Sequence, residues 1–231
     1  SPDNWLFSVL PFPYQNKQQE SPYFNRWLNF TCDNNENKKS VLLALLYMVL
    51  SNRYDWQLFI EITGEGATGK SVLTDICIQM VGLDNVISLN LNNLDNPKER
   101  YPIKDKLLII CPDQPSYKII GSGLKAITGG DLIRVEPKYK DPISIICRAV
   151  VLIVNNEPTK FIDRSGGIER RRVIIHLSRV VPDNERDLQI SQKIKAEMPS
   201  IIQHLLNLFS DNPLKAREIL LEHKRSNEAL E

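Results

Sequence analysis

The sequence predicts an α/β fold: a mainly parallel five-stranded sheet with an inserted β-hairpin, flanked by N-terminal and C-terminal helical regions. From residue 56 onward, short β-rich runs alternate with helical patterns, as in parallel strands joined by crossover helices. Residues 107–110 and 150–154 are continuous apolar runs. Such runs are typical of strands that are buried on both faces at the centre of a parallel sheet.

The chain divides into an N-terminal helical subdomain, a core and a C-terminal helical region, predicted at residues 1–53, 54–180 and 181–231. Prolines and aromatic residues alternate up to about residue 35, which favours short packed helices and turns. Residues 31–39 are polar and predict a loop. Residues 41–50 predict a strongly apolar helix that begins at Ser40.

Five segments of the core are predicted strands: residues 57–63, 86–91, 107–111, 149–154 and 173–177. Residues 132–136 and 143–147 are two further β-like runs, joined by a short segment rich in turn formers, and they predict a hairpin. After residue 177 apolar residues return at helical spacing, and a charged helix is predicted from Asn212 onward.

Composition narrows the function classes only a little. The 29 basic and 28 acidic residues nearly balance, so any affinity for nucleic acid must come from local clusters. The four cysteines are far apart, without the paired spacing of a zinc site, which favours reduced thiols in the cytoplasm. The longest apolar run is half the length that a bilayer requires, so we expect no membrane partner. Ser1 in place of an initiator methionine indicates a fragment of a longer protein.

Residues 64–71 match the phosphate-loop pattern, in which two glycines separated by four residues are followed by Lys and Ser. Small residues allow a tight turn that points backbone N–H groups at phosphate oxygens, and the following helix adds its positive N-terminal end. A predicted strand before the loop and a predicted helix after it supply the context that this motif requires. The predicted nucleotide-binding residues are Gly64, Glu65, Gly66, Ala67, Thr68, Gly69, Lys70, Ser71 and Val72.

Lys70 is predicted to contact the β- and γ-phosphates, and Ser71 to bind Mg²⁺ through its hydroxyl. Asp113 follows the apolar run of the third strand, where a carboxylate would complete the magnesium shell. Asp is also common at the start of a turn after a strand, so a purely structural role stays open.

Asn155 and Asn156 end the fourth strand. An uncharged amide beside the γ-phosphate can orient the attacking water without adding negative charge to an anionic site. Two asparagines shortly before Pro158 also form an ordinary turn, which is the alternative.

Three adjacent arginines, residues 170–172, precede the last strand. Neighbours in an extended chain alternate sides, so all three cannot face one way. We predict that Arg171 faces a nucleotide, and that Arg170 or Arg172 makes structural ion pairs. An arginine that reaches the γ-phosphate of a neighbouring subunit stabilises transition-state charge. A solvated basic patch is the alternative.

The order of these motifs resembles the superfamily 3 helicases. The similarity spans about residues 55–210 and includes Thr-Gly-Gly-Asp at 128–131 and the arginines at 170–172. Within that superfamily it is nearest to the helicase part of satellite-phage and plasmid primase-helicases, the alpha-type replication proteins. The resemblance implies an AAA+-like P-loop NTPase core that hydrolyses ATP with Mg²⁺. It also implies a homo-oligomeric ring, a hexamer in the family, that moves 3′ to 5′ on single-stranded or duplex DNA.

Carried over by position, the resemblance assigns roles to residues of this chain. Lys70, Asp113 and Asn155 are the catalytic residues of one subunit, with Asn156 as the fallback sensor of the γ-phosphate. Arg171, with Arg170 beside it, matches the finger that acts across the subunit interface. Ser71 and Asp113 are the magnesium ligands. Primase and origin-binding domains are expected outside this fragment, in the replication protein of a phage or mobile element in the cytoplasm of a bacterial host.

The hairpin matches the element with which the family contacts DNA in the ring channel. Its candidate phosphate and stacking contacts are Lys138, Tyr139 and Lys140. Without the resemblance, this Lys-Tyr-Lys tip is an ordinary exposed basic turn.

The chain departs from the family pattern at one position. Many of these helicases carry two adjacent acids after the central strand, but here Pro112 precedes Asp113 and Gln114 follows it. A glutamine cannot take a proton from water. Either Asp113 serves both metal and water, or Glu157 or another acid supplies the base, so the catalytic base stays open.

The leading hypothesis is therefore an ATP-dependent DNA helicase module. A second hypothesis is an ATP-switched assembly that binds DNA or melts an origin with slow turnover, which the missing second acid motivates. Phosphotransfer to a small molecule is weaker, because the chain shows no obvious lid for an acceptor and the hairpin would lack a purpose.

Overall fold

The computed structural model describes residues 20–114, 118–163 and 165–228. This part of the chain is a mixed α/β structure in which helices cover both faces of a parallel five-stranded sheet. Most of the prolines and aromatic residues that predict packed N-terminal turns precede residue 20, and therefore lie outside the described residues.

The described strands are β1 Phe59–Thr63, β2 Val86–Ser88, β3 Leu108–Pro112, β4 Leu132–Val135, β5 Ile143–Ile146, β6 Val150–Val154 and β7 Arg172–His176. The main sheet has the order β2-β3-β6-β1-β7, and every neighbouring pair in it is parallel. Each of the five predicted strands is present in this sheet. Strand β6 lies between β1 and β3, so the carboxyl ends of these three strands meet at one edge.

The described helices are α1 Pro22–Thr31, α2 Glu36–Leu50, α3 Lys70–Val81, α4 Leu91–Asp95, α5 Ser122–Gly129, α6 Ile190–Ala196, α7 Met198–Phe209 and α8 Pro213–Glu228. Strands β4 and β5 form a separate antiparallel hairpin, as predicted, with Leu132 opposite Ile146. The chain between them forms the tip, where Tyr139 has a positive φ of 62°.

The core has two halves, one on each face of the main sheet. Successive side chains of a strand point to opposite faces. In β3, Leu108 and Ile110 pack with residues of α1, α2, α3, α7 and α8, whereas Ile109 and Cys111 pack with α4, α5 and the hairpin. The helices at both ends of the chain thus share one core with the sheet. The three-region division of the chain stays a prediction.

Two predicted boundaries are wrong, and in both places an asparagine begins a helix. The predicted loop at 31–39 is only residues 32–35, because the Asn35 side chain accepts a hydrogen bond from the Lys38 amide at 3.1 Å and caps α2. The predicted strand at 86–91 ends at Ser88, because Asn90 caps α4 and pairs reciprocally with Asn93.

The four cysteines are free and buried within this fold. Burial raises the pKa of the Cys77 thiol to about 12, so it stays protonated at neutral pH. Among the described residues, no helix combines the length and the apolar character needed to span a membrane.

Candidate nucleotide site at the carboxyl edge of the sheet

The carboxyl edge of the main sheet brings together three segments that the sequence predicts as parts of one site. The 64–71 loop follows β1, Asp113 follows β3, and Asn155 follows β6. Backbone hydrogen bonds tie the three together: the Gly64 amide donates to the Asn156 carbonyl at 3.1 Å, and the Asp113 amide donates to the Val154 carbonyl at 3.0 Å. The predicted juxtaposition therefore follows from the central position of β6.

The 64–71 loop adopts a conformation that depends on glycine at two positions. Gly64 has φ +145°, and a Cβ there would lie 2.2 Å from the Leu177 carbonyl oxygen. Gly69 has φ +94°, and a Cβ there would lie 2.9 Å from the Thr31 hydroxyl and 3.0 Å from the Trp27 indole nitrogen. These values leave no room for a side chain. Helix α3 then begins at Lys70 without a side-chain cap, so its first N–H groups face the loop.

The Lys70 ammonium is held inside this loop. It donates to the Gly64 carbonyl at 2.5 Å and to the Glu65 carbonyl at 2.6 Å. Burial lowers the pKa of Lys70, and the negative charge of Asp113 opposes that shift. The cation thus lies within electrostatic reach of Asp113.

A cavity of about 340 Å³ lies over the loop and connects these groups. Lys70, Ser71, Asp113 and Asn156 are among the residues that line it. Asp75 also lines the cavity, but its carboxylate accepts a hydrogen bond from the Ser191 hydroxyl at 2.7 Å. Ser71 and Asp113 are both exposed and therefore offer two oxygen ligands to one cation.

A second cavity of about 370 Å³ adjoins the first and shares Asp113 and Asn156 with it. Glu157 lines this cavity and is exposed. Gln114 is engaged elsewhere, because its side chain accepts a hydrogen bond from the Leu91 amide at 2.8 Å, at the start of α4. The Gln114 side chain is thus held against the start of α4.

Asn155 is buried and is one of the residues that line this second cavity. Its side-chain oxygen accepts a hydrogen bond from the Gln114 amide at 2.7 Å, and its nitrogen donates to the Thr159 hydroxyl at 2.8 Å. Asn156 is exposed and lines both cavities. Each asparagine is therefore beside the site, and among the described residues the Asn155 side-chain amide is oriented by hydrogen bonds on both of its polar atoms.

The three arginines do not share one environment. Arg170 is exposed, whereas Arg171 and Arg172 are buried. Arg172 forms a buried ion pair with Glu61 at 2.5 Å. The chain is not extended before β7, because Glu169–Arg171 is a short 3₁₀ helix that turns consecutive side chains in different directions.

Arg171 is buried, with 8% of its surface exposed. Its guanidinium donates to the Gly167 carbonyl at 2.7 Å and lies 3.1 Å from where a Cβ of Gly129 would be. Burial lowers the pKa of Arg171, and the negative charges of Asp131 and Asp163 partly oppose that shift. The Thr-Gly-Gly-Asp segment and the arginine segment therefore meet inside one subunit. The predicted contact of Arg171 with the nucleotide of a neighbouring subunit stays a prediction, and Arg170 beside it is exposed.

The hairpin tip is exposed in the structure. Tyr139 is 92% exposed, and Lys138 and Lys140 are exposed beside it. The Lys138 ammonium lies 5.1 Å from the centre of the Tyr139 ring. The tip thus presents one aromatic ring and two cations to solvent, and its contact with DNA stays a prediction.

A third cavity, of about 230 Å³, adjoins the 64–71 loop on the side of α1, and sequence reasoning missed it. Its apolar lining residues include Trp27, Phe30, Val72, Val181, Leu188 and Ile190. The Val181 amide donates to the Ala67 carbonyl at 2.9 Å, which ties this wall to the loop. Trp27, Phe30 and Thr31 stand at helical i, i+3 and i+4 spacing, a signal that marks one face of α1. Nothing in the sequence indicated that this face meets the loop.

Two polar atoms are left without partners at this cavity. Within the described ranges, the Trp27 indole nitrogen and the Thr31 hydroxyl have no hydrogen-bond partner, although both atoms are buried. Both lie against Gly69, at the junction of the cavity and the loop. Buried polar groups are rarely left unpaired in native structures, so this junction is unusual within the fold.

Comparisons with known proteins give a family model and a named relative. The model of a family of unknown function, DUF5906, matches residues 62–172. The chain is 28% identical over 171 residues to a protein of Acanthamoeba polyphaga mimivirus named "Putative helicase L207/L206". That match covers 70% of this chain but only 17% of the length of the mimivirus protein.

Solved structures of the NrS-1 C-terminal region share the fold. One apo structure matches with a TM-score of 0.71 and 17% identity, over 92% of this chain and 52% of that one. A second, the A form, matches with a TM-score of 0.65 and 18% identity, over 83% and 47%. The chain thus spans about half of these structures, and the likeness at this identity concerns the fold alone.

Proposed function

We propose that this chain is the ATP-hydrolysing part of a DNA helicase, with an AAA+-like P-loop NTPase core, in a replication protein of a phage or mobile element. The observation that carries the proposal is that Lys70, Ser71 and Asp113 line the same cavity, beside a loop that depends on glycine. The name of the mimivirus relative and the resemblance to superfamily 3 helicases support the helicase class.

The triphosphate of ATP fits the first cavity. The uncapped N-terminus of α3 offers backbone N–H groups and a positive dipole end, which favour phosphate. Lys70 would exchange its two carbonyl contacts for phosphate oxygens. A charge-assisted bond to phosphate is stronger than one to a neutral carbonyl, so this exchange favours binding.

Mg²⁺ would be held by the Ser71 hydroxyl and the Asp113 carboxylate. Over the described ranges, no group of three or more His, Cys, Asp or Glu residues could hold a metal ion. Mg²⁺ does not need such a group, because it keeps several waters and takes phosphate oxygens as ligands. When bound, it would neutralise the charge that develops on the β- and γ-phosphates.

The third cavity is suited to the base of the nucleotide. Its accessible lining is mostly apolar, with charged side chains such as Arg26 and Asp187 also bordering it, and it shares Ala67 with the phosphate cavity. The base of a bound nucleotide could therefore enter it while the phosphates occupy the loop. Leu188, which lines it, is 95% exposed and would be covered by the ligand.

The groups that would act on the attacking water line the second cavity. Asn155 would contact the γ-phosphate, with Asn156 as the alternative. Glu157 is the exposed acid of the second cavity and is our candidate for the base, together with Asp113. Arg170 would supply charge to the active site of a neighbouring subunit in a ring.

DNA would bind at the hairpin tip. Two lysines can pair with phosphates, and the Tyr139 ring can stack on a base. Ring assembly, 3′ to 5′ movement on DNA and a hexameric state are parts of the proposal that come from the family resemblance.

A second function is favoured by one observation, the engagement of Gln114 with α4. It leaves no second acid directly after β3. In this alternative the chain is an ATP-switched assembly that loads on DNA or melts an origin, with slow turnover and no processive unwinding.

The test measures ATP hydrolysis with and without single-stranded DNA, while mass photometry follows assembly. DNA-stimulated phosphate release from a ring that displaces a strand supports the helicase. Hydrolysis by a ring that unwinds nothing supports the switched assembly. Absence of ATP binding by isothermal titration calorimetry contradicts both, and a phosphorylated acceptor in place of free phosphate supports phosphotransfer.

A further inference from the structure

A buried chain of hydrogen bonds runs from Asn155 to the arginine segment. The Asn155 amide nitrogen donates to the Thr159 hydroxyl at 2.8 Å, and that hydroxyl donates to the Glu61 carboxylate at 2.7 Å. The Thr159 backbone amide donates to the same carboxylate oxygen at 2.6 Å. The other oxygen of Glu61 accepts from Arg172 at 2.7 Å. The nucleotide-facing asparagine is thus connected to the residue that begins β7.

The donor and the acceptor of each hydrogen bond in this series are determined by the chemistry of the groups. Glu61 is paired with Arg172, so its ionised carboxylate accepts hydrogen bonds and donates none. The single proton of the Thr159 hydroxyl therefore points at Glu61, and the hydroxyl must accept from Asn155. At the other end, the backbone N–H of Gln114 can only donate, so it faces the side-chain oxygen of Asn155. Asn155 consequently has only one orientation that satisfies both neighbours.

This orientation leaves one donor of Asn155 available. A side-chain amide nitrogen carries two protons. Among the described residues, the Thr159 hydroxyl is the hydrogen-bond acceptor for one of them. Asn155 lines the second cavity, next to Asp113 and Glu157. The remaining N–H is therefore a fixed donor at the edge of the proposed catalytic site.

Arg172 fixes the position of Glu61 and Thr159 in this series of hydrogen bonds. Besides Glu61, it donates to the Thr159 carbonyl at 2.8 Å, and its guanidinium lies 5.2 Å from the centre of the Phe161 ring. Glu61 is completely buried and Arg172 is 8% exposed. A buried ion pair carries a large desolvation cost and often contributes no more stability than an apolar pair. Its use at this position is better explained by the geometry that it imposes on Thr159.

We propose that Thr159 is a positioning residue for Asn155. Its hydroxyl, oriented by the Glu61–Arg172 pair, turns the Asn155 amide so that an N–H faces the γ-phosphate rather than a carbonyl oxygen. A flipped amide would present an oxygen to an anion and would repel it. The inference rests on the proposed ATPase function, and it adds the residue that sets the donor face.

The test compares Thr159→Val with Thr159→Ser. Valine has nearly the shape of threonine but no hydroxyl, whereas serine keeps the hydroxyl. We expect Thr159→Val to lower kcat by about 100-fold through misplacement of Asn155, with KM within about threefold of the native value. Thr159→Ser should retain both. A purely structural role would lower the folded fraction and leave kcat per folded molecule unchanged, so folding is measured in parallel by thermal unfolding.

A second measurement does not depend on hydrolysis. The side-chain amide of Asn155, assigned by its loss in Asn155→Asp, is followed in the ¹⁵N–¹H spectrum without nucleotide. Its two protons should have distinct shifts in the native protein and in Thr159→Ser, and one of them should move in Thr159→Val. Unchanged resonances in Thr159→Val overturn the inference, as does native kcat in that variant. If the Asn155 resonance shifts in Thr159→Val but the native protein hydrolyses no ATP, the inference that Thr159 orients Asn155 is supported. That outcome contradicts only the proposed ATPase function.

Discussion

At the scale of single residues, the surroundings of Lys70 are consistent with the phosphate site that we propose. The loop carbonyls hold its ammonium at 2.5 and 2.6 Å, and burial lowers its pKa. A cation that is partly desolvated gains more from a phosphate than one in bulk water, because the surrounding dielectric is lower.

Lys70→Ala is expected to abolish ATP hydrolysis, with at least about a 100-fold loss of kcat, because the phosphates lose a preorganised charge. Phosphate release by steady-state kinetics measures the effect. Lys195→Ala, at an exposed position of α6, is the matched control and should hydrolyse at the native rate. Native turnover in Lys70→Ala would show that the loop does not bind the nucleotide.

Three consecutive arginines have three different surroundings. Arg170 is solvent-exposed, Arg171 is enclosed by the glycines at 129 and 167, and Arg172 is paired with Glu61. The motif in the sequence indicates an arginine that acts between subunits. Only the local 3₁₀ turn shows which of the three is exposed.

Arg170→Ala should leave ATP binding within about twofold of the native value and reduce hydrolysis by the assembled protein by about 1000-fold, as for loss of a finger. When Arg170→Ala protein is mixed with native protein, the ATP hydrolysis rate should fall by more than the fraction of mutant subunits. Arg171→Ala should instead lower the free energy of unfolding by about 1–3 kcal/mol, because a buried hydrogen-bonded group is lost. Subunit-mixing assays and chemical unfolding distinguish the two. The reverse pattern would return the finger role to Arg171.

At the scale of elements, helix α1 contributes more than a cover for the sheet. Its Trp27 and Thr31 approach Gly69, and its Phe30 faces the cavity that we propose for the base. The opposite wall of this cavity belongs to the chain after β7. Two segments distant in sequence thus border the loop.

Leu188→Ser is expected to weaken ATP binding about fivefold, because the loss of apolar contact with the base costs roughly 1 kcal/mol of binding free energy. Binding of inorganic tripolyphosphate, which has no base, should not change. Leu83→Ser, at a leucine that is 75% exposed and does not line the cavity, is the control. Calorimetry measures both ligands. An equal loss of affinity for both ligands would place the effect on the phosphates and contradict a base site.

The hairpin is the element proposed to contact DNA. Replacing Lys138 and Lys140 together by alanine should weaken single-strand binding and reduce the slope of log K against log salt by about 1.4, or about 0.7 for each phosphate contact. Lys195 and Lys215, both exposed, provide a double-alanine control of equal charge change. Fluorescence anisotropy at several salt concentrations measures the slope. An unchanged slope means that the tip does not touch the backbone.

At the scale of the whole molecule, the terminal helices and the sheet share one core. His223 of α8 lies 2.9 Å from the Ile174 carbonyl of β7, and burial lowers its pKa. Burial also lowers the pKa of His204 in α7. The unfolded chain therefore binds more protons than the folded protein just below the ordinary histidine pKa of 6.5.

The free energy of unfolding should accordingly decrease as the pH falls from 7 toward 5, since protonation favours the unfolded chain in this window. His223→Gln, which keeps a side-chain N–H for the carbonyl, should flatten this dependence in part, and His204 should account for the remainder. Urea unfolding at several pH values measures the slopes. Equal slopes in the variant and the native protein would exclude His223 as a source.

Much of the architecture was predictable because it depends on local patterns. The apolar runs at 107–110 and 150–154 predicted buried parallel strands, and both are present in the sheet. The helix boundaries near Asn35 and Asn90 were missed because each depends on one side-chain hydrogen bond at the helix cap. The residue types around a cap are also common in loops, so residue type alone does not distinguish the two.

The sequence by itself determined the chemistry that is available: a glycine loop with Lys70, an acid after β3 and asparagines after β6. These follow from residue type and short spacing, which act along the chain. Only the tertiary structure decided that Arg171 is enclosed, that Thr159 orients Asn155, and that Trp27 borders the loop. Contacts such as that between Glu61 and Arg172 join residues more than a hundred positions apart, and they depend on strand order and packing rather than on local pattern.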